Sequence, residues 1–519
     1  MSKTPSDSLF RLIRSMSKSE KRHFKLYASR HSVEQNNYLK LFDAIDKQKN
    51  YDEAAVLKKF SKETFINRFP ITKKRLYETV LRSLDAFHSQ SSIDAELKRE
   101  LHFAEILYKK SLYNQCAKIL ASARQAAIKH EKHSTLAEIY HWQKKLIEKD
   151  NYLGQNQESV EEMLREDLVI AERMKEFNEY WNIKSRLFLL LNKQGKVRNS
   201  QELNNFKRII DNTLLKNEGK AQSHEARYLF NHIYSAYHFG TGDYKSSYRF
   251  LKRNVELIEK DPSAFKEEPN IYFSVLTNLI YVSTSLKRYN EVFELMKKLK
   301  AVPETLDTSR NEDLEIKLFS SAMSIEITLY NTLGDFEKAI ELVPAIERGL
   351  DRFGEKISRL RKAYFCFNIA VAYFGAEKYS FALRWTNRLF SEPNIDENQD
   401  IYCFARILNL IIHIELQNDD VVPYILTSTS RYLKTRNRVY KFESVFLDFI
   451  DQLIRLRQKN DAPVIYKKLL TQLKKLSADP FEKTVFEYFD FIAWCKSKIE
   501  NSSFRETVVD KVSVVAGKE

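Results

Sequence analysis

An aromatic side chain followed three positions later by a smaller one recurs along this chain at a nearly constant interval. Weaker matches stand at Tyr152 and Val197, and with them successive anchors lie 39, 45, 47, 45, 47 and 43 residues apart. An interval near 45 residues fits two helices of about 15–18 residues with two short connections. The spacing therefore predicts about seven helical hairpins. The five clear pairs are Tyr113 with Cys116, Tyr244 with Ser247, Tyr289 with Val292, Phe336 with Ala339, and Tyr379 with Ala382.

The best-preserved turn of this series is the stretch LGDFEKAI, which runs from Leu333 to Ile340. Apolar residues recur at spacings of three and four on both sides of it, which indicates one apolar stripe on each of two helices. Gly334 suits a helix C-terminus that needs a positive φ, and Asp335 can cap the next helix. We expect Phe336 to fill the gap between the helices and Ala339 to let their backbones approach. The same turn roles are predicted for Tyr244, Tyr289, Tyr379 and Ala382.

Glycine and proline number only 10 each in 519 residues, well below the average usage of about 7% and 5%. A β-rich fold of this length would need many more turn residues. The composition therefore predicts an all-α protein. Because an isolated hairpin cannot bury both of its faces, neighbouring hairpins are expected to stack into an α-α superhelix, a solenoid, with helical caps at both ends.

The segment LGDFEKAIEL resembles the turn of the tetratricopeptide repeat (TPR), in which a Gly-Asp-aromatic triplet is followed by alanine. Tyr330 falls at the aromatic position of the family's first helix, whereas Ile327 replaces the family's glycine and the interval exceeds the family's repeat of about 34 residues. The resemblance spans roughly residues 95–430, and the whole chain is similar to bacterial helical-repeat proteins. It implies a TPR-like superhelix of the kind that binds proteins or peptides.

The formal net charge of +15 is concentrated in two regions. Residues 1–88 hold 19 basic and 10 acidic side chains, and residues 431–480 hold 12 and 5, whereas residues 89–430 hold 48 of each. Together with the repeat pattern, this distribution predicts four parts of the chain. They are a basic N-terminal helical region (1–90), the repeats (91–430), a C-terminal helical cap with a basic stripe (431–502) and a flexible tail (503–519).

Each basic region contains residues that would share one face of a helix. Ser17 and Glu20 can form a capping box that starts the first of these helices. The faces are either solvated or bind an anionic partner through phosphates or carboxylates. The candidate anion-binding residues are Lys18, Lys21, Arg22 and Lys25 in the first region, and Arg431, Lys434, Arg438 and Lys441 in the second. A further cluster in the first region comprises Lys73, Lys74, Arg75 and Arg82.

Motifs for catalysis, cofactors and metals are missing from the sequence. It has no GxxxxGK[ST] loop and no GxSxG, and His130 and His133 are spaced i,i+3 rather than as in HExxH. No stretch has the roughly 18 consecutive apolar residues of a membrane span. The four cysteines lie far apart, which is typical of buried thiols in a reducing compartment. We expect a cytoplasmic protein with no enzymatic activity, no cofactor, no bound metal and no membrane partner.

Two hypotheses for function remain open from the sequence. The first is a scaffold or adaptor that binds a protein or peptide on the concave face of the superhelix. The second is a nucleic-acid-associated regulatory protein whose basic end regions contact phosphates. The confinement of positive charge to the two end regions motivates the second, and the repeat motivates the first.

Overall fold

The computed structural model describes residues 6–29, 34–89, 92–265, 268–305, 312–391, 400–456 and 461–516. Every regular element within these ranges is helical, which confirms the all-α class. The chain divides into two compact units, Met1–Glu172 and Arg173–Glu519, called here the N-terminal unit and the C-terminal unit. Their boundary lies inside a long helix, rather than near residue 90 or 430, where the charge pattern changes.

Five helices at the start of the N-terminal unit enclose a hydrophobic core of their own, with Phe24, Phe42 and Leu76 fully buried in it. We call residues 6–89 the N-terminal module. The predicted capping box is present, because Ser17 N donates to Glu20 Oε2 (2.6 Å) and Glu20 N donates to Ser17 Oγ (3.2 Å). The helices are α1 (Ser8–Ser15), α2 (Lys18–Ser29), α3 (Glu34–Asp46), α4 (Glu53–Lys59) and α5 (Phe69–His88), with a 3₁₀ helix at Thr64–Arg68.

The remainder of the N-terminal unit consists of longer helices, of which α6 packs on α7 and α7 packs on α8. The boundary between the two units falls within α9. These helices are α6 (Ile93–Lys109), α7 (Tyr113–Lys129), α8 (His133–Lys149) and α9 (Gln157–Gln194).

The C-terminal unit continues the pattern of paired helices. Its hairpins are α11 with α12, α13 with α14, α15 with α16, α18 with α19, and α20 with α21, and successive first helices α13, α15, α18 and α20 also pack on one another. The helices are α10 (Ser200–Ile210), α11 (His224–Gly240), α12 (Tyr244–Lys260), α13 (Pro269–Ser285), α14 (Tyr289–Thr305), α15 (Glu312–Leu333), α16 (Phe336–Glu341), α17 (Val343–Phe353), α18 (Arg359–Gly375), α19 (Tyr379–Ser391), α20 (Asp400–Glu415), α21 (Val422–Thr435), α22 (Lys441–Ile454), α23 (Ala462–Ala478), α24 (Phe491–Glu500) and α25 (Phe504–Ala516).

The five clear sequence anchors mark the hairpin turns. Tyr113, Tyr244, Tyr289, Phe336 and Tyr379 are the first residues of α7, α12, α14, α16 and α19. The side chain three positions on lies one turn further along the same helical face, where the paired helices meet. All five of these smaller side chains are fully buried, namely Cys116, Ser247, Val292, Ala339 and Ala382.

The hairpin turns share one backbone geometry. The residue two positions before each anchor has a positive φ. The N–H of the residue that follows it donates a hydrogen bond to the carbonyl oxygen five residues earlier, as from Asp335 to Tyr330 (3.0 Å) and from Lys378 to Tyr373 (2.9 Å). This is the Schellman arrangement, which satisfies the last carbonyls of a helix. The five positive-φ residues are Ser111, Gly242, Lys287, Gly334 and Glu377.

The residues of the LGDFEKAI turn fulfil three of their four predicted roles. Gly334 has φ +77°. Phe336 is fully buried, and a Cβ on Gly375 of α18 would lie 2.4 Å from its ring. Asp335, however, makes no capping hydrogen bond, because its carboxylate binds Lys338 Nζ at 2.6 Å instead. The prediction that its side chain caps α16 is therefore wrong.

The two weaker anchors do not begin helices. Tyr152 lies in the turn before α9, has φ +61° and is 56% exposed. Val197 is buried, but it lies in an irregular segment that follows Gly195, and α10 begins only at Ser200. Neither residue is followed by the buried small side chain of the true turns, so the predicted anchors at both positions are wrong.

The predicted flexible tail at 503–519 is wrong for the part that the structure describes. Phe504 and Val508 lie one turn apart on α25 and are about 95% buried. The ring of Phe504 stacks on Phe336 with centroids 5.7 Å apart. The tail is ordered because its apolar face covers the turn between α15 and α16. Residues 517–519 lie outside the described ranges.

Candidate functional site

A segment near the C-terminus lies against the first helices of several hairpins in the C-terminal unit. This segment, Asp479–Asp490, joins α23 to α24. Its Tyr488 stacks on Phe404 of α20 with centroids 4.3 Å apart, and its Phe489 meets Phe374 of α18 edge-on at 5.2 Å. Hairpins α18–α19 and α20–α21 therefore already hold a polypeptide segment of their own chain.

The same segment also contacts earlier hairpins. Tyr281 of α13 donates a hydrogen bond to Glu487 Oε2 (3.1 Å). Lys483 Nζ donates to the carbonyl oxygen of Gly242 (2.8 Å), in the turn between α11 and α12. A Cβ at Gly242 would lie 3.0 Å from Lys483 Cε, so the close approach favours glycine there. The region 431–502, predicted as a terminal cap, thus lies along much of the hairpin series.

A buried cluster of charged residues holds this segment, and Arg198 is at its centre. The guanidinium donates to both carboxylate oxygens of Glu443 (2.5 and 3.1 Å) and to Glu482 Oε2 (2.5 Å). Glu482 also accepts hydrogen bonds from the backbone N–H groups of Lys441 and Phe442 (3.2 and 3.3 Å). Arg198, Glu443 and Glu482 are each at least 96% buried, so each charge depends on the others for its solvation.

Lys196 extends the cluster toward α12 and α13. Its Nζ forms an ion pair with Glu487 and donates a hydrogen bond to Tyr244 OH (2.9 Å). The ammonium also lies over the ring of Phe239, 4.6 Å from its centroid. Tyr244 itself bonds Glu487, so this turn anchor has a second role that its position in the repeat did not indicate.

Arg438 belongs to the same cluster and is not a surface residue. It is 94% buried, donates to the backbone oxygen of Gln194 (2.8 Å) and lies 3.4 Å from Asp400 Oδ1. The neighbouring Tyr440 donates to Glu202 Oε1 (2.8 Å). The prediction that Arg438 is an anion-binding residue on an exposed stripe is therefore wrong, because its guanidinium is buried and already engaged by Asp400 and the Gln194 carbonyl.

The electrostatics of the cluster follow from burial. Burial raises the pKa of Glu443 and of Asp400, although Arg198 and Arg438 oppose the shift. Burial also raises the pKa of the Cys403 thiol to about 12, so this thiol is not a nucleophile at neutral pH. Burial lowers the pKa of Arg198, but Glu443 and Glu482 outweigh it and leave that pKa above its ordinary value. These shifts describe a structural ionic core that fixes the C-terminal segment.

The predicted C-terminal basic stripe does not form one helical face. Helix α21 ends at Thr435, Asn437 has φ +55°, and a new helix begins at Lys441. Arg431 and Lys434 are exposed on α21, whereas Lys441 is paired with Asp479 at 2.7 Å. The stripe is wrong because it assumed a continuous helix across this break.

The predicted N-terminal stripe lies on α2, with Phe24 buried on the opposite side. Lys21 and Lys25 form ion pairs with Asp46 (2.6 Å) and Asp43 (2.7 Å) of α3. Lys18 and Arg22 are exposed. In the further cluster on α5, Lys73 is paired with Glu53 (2.5 Å), and Lys74, Arg75 and Arg82 are exposed.

Exposed apolar side chains are prominent on the longer helices of the N-terminal unit. Phe103 and Ile106 on α6, Ile128 on α7, and Leu164 and Leu168 on α9 are 38–66% exposed. On α9 the adjacent Glu166 accepts a hydrogen bond from Tyr140 OH (2.8 Å) on α8. Because residues two positions apart on a helix point to nearly opposite sides, Leu164 and Leu168 face away from α8. These five apolar side chains are exposed on three helices of that unit.

An open cavity of about 490 Å³ lies beside the 3₁₀ helix Glu218–Lys220. Two of its charged side chains are already engaged, since Glu218 binds Arg253 through both oxygens (2.8 Å each) and Arg227 Nε donates to Ala221 O (3.2 Å). We assign no ligand to it. The cavity is lined by Arg173, Glu218, Gly219, Ala221, Gln222 and Arg227.

Two further properties concern the chemistry of the described residues. Among them, no group of three or more His, Cys, Asp or Glu side chains is arranged to hold a metal ion. Cys116, Cys366, Cys403 and Cys495 all belong to the described part, are buried and form no disulfide, as expected.

In the parts of the chain that the structure describes, no helix combines the length and the apolar character needed to cross a membrane.

No family model and no curated protein matches the chain.

Of the buried cluster, Arg438 and Tyr244 were singled out from the sequence, but for other roles, and Lys196, Arg198, Glu443, Glu482 and Glu487 were not. Lys196 and Arg198 are 291 and 245 residues away in sequence from Glu487 and Glu443, so no local pattern joins them. One signal in the sequence could have drawn attention to Lys196 and Arg198. The repeat interval predicts an aromatic anchor at this point, but the chain has the stretch KVRN after Gly195 instead.

Proposed function

We propose that this protein is a non-catalytic, cytoplasmic scaffold whose hairpins form a TPR-like superhelix and bind a protein or peptide on its concave face. The observation that carries the proposal is the intramolecular complex in the C-terminal unit. There the first helices of the hairpins hold the segment Asp479–Asp490 through aromatic contacts and hydrogen bonds. Repeats of paired helices present extended surfaces suited to such a ligand.

The surface available to an external partner is on the N-terminal unit. Its helices α6 and α7 share the hairpin turn of the C-terminal unit, yet Phe103, Ile106 and Ile128 remain 38–48% exposed. A few well-buried anchor residues supply most of the binding energy in protein interfaces, and large exposed apolar side chains are candidates for such anchors. We propose that a polypeptide partner covers them, as the chain covers its own hairpins in the C-terminal unit.

The experiment is affinity capture with the full chain and with the variant Phe103→Ser, Ile106→Ser, Leu168→Ser. Loss of these three anchors should reduce recovery of a bound protein at least about tenfold. A photo-crosslinking residue at position 103 should label the same protein.

The matched control is Phe381→Ser, Tyr424→Ser, Val464→Ser, which removes three apolar side chains of the C-terminal unit that are at least as exposed. It should leave recovery unchanged. A wild-type chain that retains no protein, or a partner held equally by both variants, contradicts the proposal for this surface.

The nucleic-acid hypothesis retains only part of its original support. The C-terminal stripe is interrupted, and Arg438 and Lys441 already have carboxylate partners. The hypothesis stays a proposal, supported by the exposed cations of the N-terminal module and by Arg431 and Lys434 on α21.

A further inference from the structure

The connection between α4 and α5 carries a dense group of exposed cations. Residues 58–75 contain seven basic side chains and a single acidic one. Six of the seven are exposed, and the structure gives none of these six an ion pair with any described residue. We call them the basic patch; they are Lys58, Lys59, Lys62, Arg68, Lys74 and Arg75.

Three carboxylates near the basic patch are already engaged. Asp52, Glu53 and Glu63 are the acidic residues between Tyr51 and Arg75. Asp52 caps α4 by accepting from Ala55 N (3.0 Å), and Glu53 is paired with Lys73 (2.5 Å). Glu63 is paired with Lys40 of α3 (2.9 Å). The positive charge of the patch is therefore not neutralised by these three groups.

The backbone that displays the patch is fixed by packing and hydrogen bonds. Lys73 Nζ ties the start of α5 to Tyr51 OH (3.1 Å) and to the backbone oxygen of Ser6 (2.9 Å). Thr72 Oγ1 donates to the carbonyl oxygens of Phe65 (3.3 Å) and Arg68 (3.2 Å), which joins the 3₁₀ helix to α5. A rigid backbone lowers the entropic cost of binding an extended anion.

The side chains around the cations narrow the class of ligand. Phe60, Phe65 and Phe69 are all at least 91% buried, so the patch offers no exposed ring on which unpaired bases could stack. Its one exposed large apolar side chain is Ile71, which is too little for the apolar core of a protein interface or for insertion into a membrane. The ligand that fits is one recognised by charge alone.

We propose that the basic patch binds the phosphate backbone of double-stranded nucleic acid. The site is separate from the apolar surface assigned to a protein partner, and it involves other residues. Six cations that each neutralise one phosphate would give a plot of log affinity against log salt with a slope of up to about −5. Binding through the backbone is independent of base sequence.

The test is a fluorescence-anisotropy titration of the full chain with a short DNA duplex at increasing salt. Charge reversal in the variant Lys58→Glu, Lys62→Glu, Lys74→Glu, Arg75→Glu should weaken binding at low salt at least about 100-fold and flatten the salt dependence. A second variant with Gln at the same four positions should show an intermediate loss, and circular dichroism verifies that both variants remain helical.

The matched control reverses four lysines of α23, namely Lys467, Lys468, Lys474 and Lys475. They too are exposed without an ion pair to a described residue, but lie in the C-terminal unit. This variant has the same net charge as the first and should lose less than about tenfold.

Two results with the duplex overturn the proposal: no binding by the wild-type chain at low salt, or an equal loss of affinity in both charge-reversal variants. A third is binding of single-stranded DNA, phosphatidylserine vesicles or polyglutamate at least as tightly as the duplex. The Phe103→Ser, Ile106→Ser, Leu168→Ser variant should bind the duplex normally, so this inference and the protein-binding proposal can fail independently.

Discussion

The hairpin α6–α7 in the N-terminal unit and the hairpin α18–α19 in the C-terminal unit have the same turn but different surroundings. Ser111 and Glu377 both have a positive φ, and Cys116 and Ala382 are both fully buried. In the C-terminal unit, the segment Asp479–Asp490 and α25 pack on the hairpins. On α6 and α7, apolar side chains remain exposed. The same turn therefore occurs in one hairpin that a later segment of the chain contacts, although Phe381 of α19 is still 46% exposed, and in another hairpin whose Phe103 and Ile106 are exposed.

The difference shows what closes a helical repeat. Hairpin stacking buries one side of each helix pair, and the other side needs a further element. In the C-terminal unit that element is the chain itself, held by Arg198 and Lys196 through long-range ion pairs. We infer that the N-terminal unit relies on a partner for the same purpose.

The largest expected effect is the loss of stability when an arginine is removed from a buried ion pair in the C-terminal unit, compared with a partly exposed ion pair in the N-terminal unit. Arg198→Met leaves Glu443 and Glu482 buried without their cation, and should lower the free energy of unfolding of the C-terminal unit by about 3–5 kcal/mol. Arg124→Met is the matched change in the N-terminal unit, where the Arg124–Glu166 pair is about one-third exposed. It should cost less than about 1 kcal/mol.

Urea unfolding followed by circular dichroism gives the size of each loss, and hydrogen exchange with mass spectrometry assigns it to a unit. Equal losses in the two variants would show that the buried cluster does not secure the C-terminal segment.

The next effect concerns pH and His232 in the C-terminal unit. Burial, with Lys184 nearby, lowers the pKa of His232 to about 4, and its ring stacks between Phe188 (5.1 Å) and Tyr228 (5.3 Å). In the unfolded chain His232 binds a proton as the pH falls below about 6.5, whereas in the folded chain it does so only near pH 4. Stability is therefore lost as the pH falls through this window, by up to about 3 kcal/mol.

The raised carboxyl pKa values of Asp400 and Glu443 act with the opposite sign, so the comparison with His232→Phe isolates the histidine. The variant should lose less stability than the wild type between pH 6.5 and 4 in urea unfolding.

In the N-terminal unit burial raises the pKa of Glu20, but hydrogen bonds from Ser17 and His88 outweigh it and leave that pKa lowered. Its contribution is lost only below about pH 4.5. Parallel curves of unfolding free energy against pH for the wild type and His232→Phe would contradict the role of His232.

The smallest effect compares two glycines with nearly the same backbone. Gly154 in the N-terminal unit has φ +73° and Gly334 has φ +77°. A Cβ at Gly154 meets nothing within 4 Å, whereas one at Gly334 would lie 2.9 Å from Val509 Cγ2 and 3.3 Å from Val508 Cγ1. Both Ala substitutions incur the left-handed strain of about 1 kcal/mol, and Gly334→Ala should cost about 1–2 kcal/mol more.

Thermal melting monitored by circular dichroism measures the difference between these two variants. If they lose the same stability, α25 does not pack on the turn as described.

Local sequence sufficed to predict the hairpin turns. Tyr113, Tyr244, Tyr289, Phe336 and Tyr379 each begin a helix, because their role depends only on neighbours within one helical turn and on the preceding left-handed residue. The capping box of Ser17 and Glu20 was predictable for the same reason. Tyr152 and Val197 fit the interval but lack the local pattern, and both failed.

Contacts between distant parts of the chain were not predictable in this way. Arg438 has the sequence context of a surface stripe, yet Asn437 interrupts the helix and turns the guanidinium toward Asp400 and Gln194. The basic patch was partly predicted through Lys74 and Arg75, but the exposure of Lys58, Lys59 and Lys62 depends on how α4 and the 3₁₀ helix pack in the module.

The sequence by itself determined the helical class, the hairpin turns and the location of positive charge, because these follow from residue spacing and composition. Only the tertiary structure decided which charges are buried and which surfaces remain open. The turn at Gly334 contains both kinds of information: its positive φ follows from the local motif, whereas its contact with Val508 and Val509 depends on a helix more than 170 residues away in the chain. Side-chain periodicity specifies which face of a helix is apolar, but not which element will cover that face.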